Sequence, residues 1–111
     1  MAYRLNRKLV LEMPARVPDG AGGFAESWMP LGIVWANVTA RTGREAAGIA
    51  APLSRVAYRI ITRAAPPTSN ARPQPNQRFR EGARYYRILS VAEQDADGRY
   101  LMCTAQEETV A

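Results

Sequence analysis

The sequence predicts a mainly β protein, a compact antiparallel barrel or sandwich of about six or seven short strands with one brief helix. Three observations carry this. Apolar residues recur at every second position through most of the chain, Gly- and Pro-rich stretches separate those runs, and one segment alone, Gly43 to Ala51, switches to helix-favouring residues.

Each element follows from its own pattern. From Arg7 to Met13, Leu9, Leu11 and Met13 share one face while Lys8 and Glu12 share the other, so this is a strand with one wet side. Pro14 is expected to end it, and residues 15–23 (ARVPDGAGG) read as a long mobile loop. Phe24 to Met29 resumes the alternation as a short second strand closed by Pro30. In the third strand, Ile33 to Arg41, the apolar Val34, Ala36, Val38 and Ala40 should face the core, with Trp35, Asn37, Thr39 and Arg41 opposite.

A helical insert is expected over residues 42–53, between the third and fourth strands, with Pro52 stopping it. It is too short to be stable alone and must dock. Leu53 to Arg63 returns to a period of two, placing Val56, Tyr58 and Ile60 on one face and Arg55, Arg59 and Arg63 on the other. Residues 64–76 contain Pro66, Pro67, Pro73 and Pro75, which excludes a sheet interior and predicts an extended surface loop. Two hairpins end the chain: Arg78 to Arg80 turns at Glu81-Gly82 into Tyr85 to Glu93, which turns at Asp97-Gly98 into Arg99 to Glu107. Tyr86 and Ile88 on one side with Leu89 and Val91 on the other predict a central strand covered on both faces. No repeat and no linker divides residues 1–111, which are read as one domain.

Composition bounds the function. The 111 residues carry 47% hydrophobic and 23% charged residues, ordinary for a folded chain with one modest core. Net charge is +5, and arginine supplies fourteen of the fifteen basic residues. Two readings of that bias stand side by side: arginine codons of a base-rich genome, or guanidinium groups chosen for forked bonds to carboxylates and phosphates at subunit interfaces and DNA-lined channels. With no histidine, the usual zinc sites and the commonest general base are missing, and the lone Cys103 excludes an internal disulfide. Glu93, Asp95 and Asp97 read as decoration of a hairpin turn rather than a metal site. No catalytic constellation is visible, and neither an enzyme activity, a cofactor nor a metal is expected. No stretch is apolar enough to cross a bilayer, and Met1 to Arg7 is not followed by a signal-type segment, so a cytoplasmic origin is expected.

The order of the segments resembles the phage head-tail joining family, also called head-tail adaptors, stoppers or head-completion proteins. The pieces that carry the resemblance are LNRKLVLEMP, GGFAESWMPL, IVWANVTARTGREAA, VAYRIITR and RFREGARYYRILSVAEQD with the terminal hairpin, in the family's order from about Leu5 to Glu107. The proline-rich residues 64–76 depart from it, since the family more often has a short apolar turn there. The resemblance implies a small antiparallel β-barrel that assembles as a ring, hexameric or dodecameric. Its implied partners are a portal or adaptor protein above, a tail terminator or tail tube protein below, and double-stranded DNA passing through the middle. It also implies assembly in the bacterial cytoplasm and residence in the neck of a virion or gene transfer particle. The resemblance further implies that the insert between these strands can project into the channel, which makes Arg41, Arg44, Glu45 and Ile49 the candidates for a gate, against a plain turn and first helical turn.

Other residues keep paired readings. Arg55, Arg59 and Arg63 repeat every four residues and would stand about 13 Å apart on one strand face, toward DNA phosphates, toward a neighbouring subunit or toward solvent. Trp28 and Trp35 lie on half-wet faces and are covered either from within the subunit or by the next one. The alternative function is a monomeric oligonucleotide-binding barrel acting on single strands, against which the scattered aromatics argue.

Overall fold

The computed structural model describes residues 3–41 and 56–108. Within them the chain forms β1 (Arg7–Pro18), β2 (Phe24–Ala40), β3 (Ala57–Arg63), β4 (Arg78–Glu81), β5 (Arg84–Glu93) and β6 (Tyr100–Glu108). All pairings are antiparallel in the order β1-β2-β3-β6-β5-β4, and β4 returns to β1 through Val10↔Arg80, Leu11↔Phe79 and Glu12↔Arg78, closing the sheet into a barrel. Closure removes the sheet edges over the stretches where the strands overlap, while Ile33 to Trp35 of β2 extend past the reach of β3. Period-two alternation then has a single inside to fill. Leu9, Leu11, Ala36, Ile60, Phe79, Tyr86, Ile88, Cys103 and Ala105 fill it, each at most 1% exposed. The described residues contain no helix, and the helical insert expected over residues 42–53 lies outside them.

Several sequence expectations are corrected. Pro14 does not end β1 and Pro30 does not divide β2, so the expected second and third strands are one. β4 accompanies β1 only as far as Glu12, and beyond it β1 and β2 continue as a two-stranded arm, Met13↔Met29 to Pro18↔Phe24. On such an outer strand the missing N–H of proline costs no ladder bond. The register steps between Leu11↔Gly32 and Glu12↔Pro30, which leaves Leu31 as an extra residue, and Gly32 takes a φ of +153° that side chains rarely adopt. The expected 15–23 loop therefore shrinks to the turn after Pro18, where Asp19 Oδ1 accepts N–H bonds from Ala21 (2.8 Å) and Gly23 (3.1 Å).

A second irregularity corrects the doubly covered strand. Ile88 pairs with Ala105 and Ser90 with Thr104, so Leu89 bulges out and is 42% exposed. The extra residue flips the alternation, and Val91 packs on the same core as Ile88 instead of on the opposite face. The core face of β2 holds for Val34, Ala36 and Val38, while Ala40, in the last β2–β3 pair opposite Tyr58, is exposed. On β3, Tyr58 and Ile60 pack inward but Val56 is 44% exposed.

The proline-rich residues 64–76 have a topological task. β3 and β4 lie on opposite sides of the barrel, so the chain between them crosses one open end. It does so with Pro73 fully buried, tied by Arg72 Nη1 to the Ala65 carbonyl (3.1 Å) and by Asn76 N–H to the Ile88 carbonyl (3.0 Å). Polar side chains gather at the other end. Arg7 Nε donates to Glu81 (2.7 Å), and Arg84 donates to Glu107 (2.7 Å) and the Tyr58 hydroxyl (3.0 Å).

Candidate functional site

Arginine and aromatic side chains meet at several places among the described residues, and two of these regions hold the tryptophans singled out by the sequence. The first lies where the arm leaves the barrel. Arg78 and Arg80 flank the buried Phe79 and point outward, and both donate to the 6%-exposed Glu12, at 2.7 and 3.0 Å. Burial pushes the Glu12 carboxyl up, but the two guanidinium hydrogen bonds outweigh it and hold the group below its ordinary range. The Arg78 guanidinium is also placed over Trp28 (4.1 Å) and Tyr85 (4.2 Å), and Arg87 adds a second contact to Trp28 at 5.1 Å. Trp28 is thus half-buried, with guanidinium groups of its own chain stacked on its ring.

The second region surrounds Trp35, which is 53% exposed on the outer face of β2. Beside it lies a cavity of about 520 Å³ whose lining includes Tyr3, Leu5, Ile33, Arg63 and Ala65. The N-terminal residues reach this face because Asn37 Nδ2 donates to the Arg4 carbonyl (3.2 Å) and Tyr3 sits edge-on to Tyr100 at 5.1 Å.

Of the arginine row, Arg59 and Arg63 share the outer face of β3, with Arg63 exposed and Arg59 half-buried. Arg55 lies outside the described residues, as do the gate candidates Arg44, Glu45 and Ile49. Arg41 follows β2 directly, half-buried, and its N–H closes the ladder on the Ala57 carbonyl at 2.8 Å. The barrel interior is packed with side chains, so nothing threads through a single copy.

Among the described residues no group of His, Cys, Asp and Glu is placed to hold a metal ion. Asp95 of the acidic turn accepts the N–H groups of Arg99 (2.9 Å) and Tyr100 (3.1 Å), a hairpin role. Cys103 is walled into the core, and burial pushes its thiol up to about 12, so the reactive thiolate is absent at neutral pH.

Residues 1–108 match the family described as phage head completion protein. The chain belongs to that family. Its members form a structural class rather than an enzyme class. Among solved structures, a chain of the virion of a native gene transfer agent particle is 55% identical, with a TM-score of 0.80 over 99% of this chain and 100% of that one. A Shigella flexneri 2a protein known from its solution structure shares the fold at 21% identity and a TM-score of 0.69, covering 97% of this chain and 96% of that chain. No curated protein matches.

Sequence reasoning missed the Glu12 cluster of this head completion protein. Its one local signal is the alternation Arg78-Phe79-Arg80, which sets two arginines on a common face. Their carboxylate stands 66 and 68 positions away, and nothing in the sequence links it to them.

Proposed function

We propose that this head completion protein is a connector without chemistry, standing as a ring between the portal or adaptor and the tail of a gene-transfer-type particle. The observation that carries the reading is the 55% identity over the whole length of a gene transfer agent virion chain. A filled barrel supports it, because DNA would pass through a ring of copies and not through one of them. The ring closes or guides the channel after packaging and offers its lower surface to the tail.

The gate is proposed for the segment between β2 and β3. Arg41 stands at its base, and Arg44, Glu45 and Ile49 belong to it. One exposed charge pair contributes about 0–1 kcal/mol, but arginines repeated at one height around a duplex hold phosphates cumulatively and in a salt-sensitive way. Replacing Arg41 and Arg44 with Glu is expected to leave the ring assembled while filled heads leak DNA.

Electron microscopy of a deletion strain tests the whole reading. The expected result is heads that fill with DNA and carry no tails. Normal tailed particles would end the connector proposal.

A further inference from the structure

We propose that the β1–β2 arm of one copy seats in the Trp35 cavity of a second copy, with Phe24 against the apolar wall and Glu26 facing Arg63. The inference rests on the reading that copies stand side by side in the particle, and it names the contact between them.

The arm is built as half of an interface. Past Glu12 it has no third strand among the described residues, and a two-stranded ribbon is at best marginally stable in water. It nevertheless exposes Val17 (45%), Phe24 (60%) and Met29 (48%), and its ring contacts to the rest of the molecule are those of Trp28 with Arg78 and Arg87. Apolar side chains on a protruding ribbon of roughly 20 Å have no core of their own to enter.

The cavity is the other half. Trp35 and Ile33 (57% exposed) line it beside Tyr3, Leu5 and Ala65, and its volume of about 520 Å³ lies within the range of binding pockets and exceeds a single side chain. β3 pairs with β2 only from Ala36 to Ala40, so the backbone of Ile33 to Trp35 runs along the cavity with its β3 side unpaired among the described residues. An incoming extended strand would find both a sheet edge and an apolar wall.

Charge and reach select the occupant. Glu26 is exposed on the arm and Arg63 is exposed in the cavity lining, and neither has an ion pair among the described residues. The arm of the same copy cannot serve. Phe24 and Trp35 lie on one continuous strand, more than about 30 Å apart along it. Both halves of the contact are therefore present in one chain but out of its own reach. A pairing of two unlike patches is heterologous, and repeated through a fixed rotation it closes a ring.

The test uses assembled particles carrying Phe24→Cys together with Ala65→Cys. After mild oxidation and electrophoresis without reductant, a ladder of multimers of this chain is expected with both substitutions and with neither alone. Cys103, being buried, contributes nothing to it. Joined particles without the ladder, or a bond from the Phe24→Cys position to a different virion protein, would overturn the contact. If the paired variant does not enter particles, a charge exchange decides. Glu26→Arg and Arg63→Glu should each lower the yield of joined particles about tenfold and restore it when combined. Absence of restoration would overturn the proposal. Failure of the connector reading shows separately, as normal tailed particles in the deletion strain, whatever the ladder shows.

Discussion

The barrel and the arm are made from the same two strands and obey different rules. From Val10 to Glu12, β1 has neighbours on both sides, and the strand contributes Leu9 and Leu11 to a fully buried core. From Met13 to Pro18 it has one neighbour among the described residues, tolerates two prolines, and leaves Val17 exposed. Closure explains the difference. A closed sheet fixes the volume available to each inward side chain, whereas a ribbon fixes only its backbone pairing. Apolar residues in the barrel stabilise the chain itself, and those in the arm are available to a partner.

Phe79→Ala should produce the largest loss of stability, because Phe79 is wholly buried on the short β4 that closes the barrel. A loss of about 3–4 kcal/mol is expected from the lost burial and the cavity left behind. Urea unfolding followed by circular dichroism would read it, and a loss below about 1 kcal/mol would mean that the core collapses around the gap.

Glu12→Gln should cost less, about 2 kcal/mol at neutral pH, because Arg78 and Arg80 lose their shared carboxylate charge while Arg80 remains partly solvated. The pH dependence has a definite sign. The folded Glu12 carboxyl titrates below its unfolded value, so its contribution is present above the ordinary carboxylate range and disappears as pH falls through the lower folded value. Glu81 and Glu107 behave alike, each lowered first by the hydrogen bond from its arginine, Arg7 or Arg84. The parent and Glu12→Gln should therefore converge in stability as pH falls below the ordinary carboxylate range. A gap that stays constant through the whole acid limb would show that packing, not charge, sets the cost.

Much of this division was legible in the sequence, and the illegible part has physical reasons. Alternation around Leu9 and Leu11, around Val34 to Val38 and around the Asp97-Gly98 turn is local information, and those strands were readable from it. Pro14 and Pro30 were misleading because a proline breaks a strand only where its N–H is needed, and need depends on a third strand that comes from far along the chain. The Leu89 bulge hid for a related reason: one extra residue reverses the facing of everything after it, and apolarity on both sides read as double burial. At the site, Trp28 and Trp35 were legible as half-wet aromatics. What covers the first, Arg78 of β4, was not, since β4 meets β1 only through barrel closure.

Tyr86→Phe should move stability in the opposite direction. The Tyr86 ring packs edge-on to Tyr58 at 5.1 Å, but its hydroxyl is buried with no hydrogen-bond partner among the described residues. Desolvation by burial pushes the phenol up from its ordinary value. Removing the oxygen keeps the ring contact and relieves that cost, so a gain of up to about 1 kcal/mol is expected. A loss of that size in urea unfolding would reveal a partner for the hydroxyl.

The smallest effect on stability belongs to the arm, and it sharpens the comparison most. Phe24 is 60% exposed, with the Arg16 guanidinium over its ring at 4.7 Å, and Val17 is 45% exposed, so neither fills a core position. Phe24→Ser and Val17→Ser should each leave the isolated chain within about 0.5 kcal/mol of the parent, the usual range for surface changes. The same substitutions should nevertheless reduce the amount of this protein retained in purified particles, read by quantitative blotting against a capsid protein. If they instead destabilise the isolated chain by about 2 kcal/mol, in the range of core positions, the arm is folded against the barrel in solution and belongs to the same cooperative unit. Unchanged stability with unchanged retention would assign those side chains no role beyond covering their own ribbon. Unchanged stability with reduced retention would show that apolar surface which contributes nothing to folding is kept because it contributes to assembly.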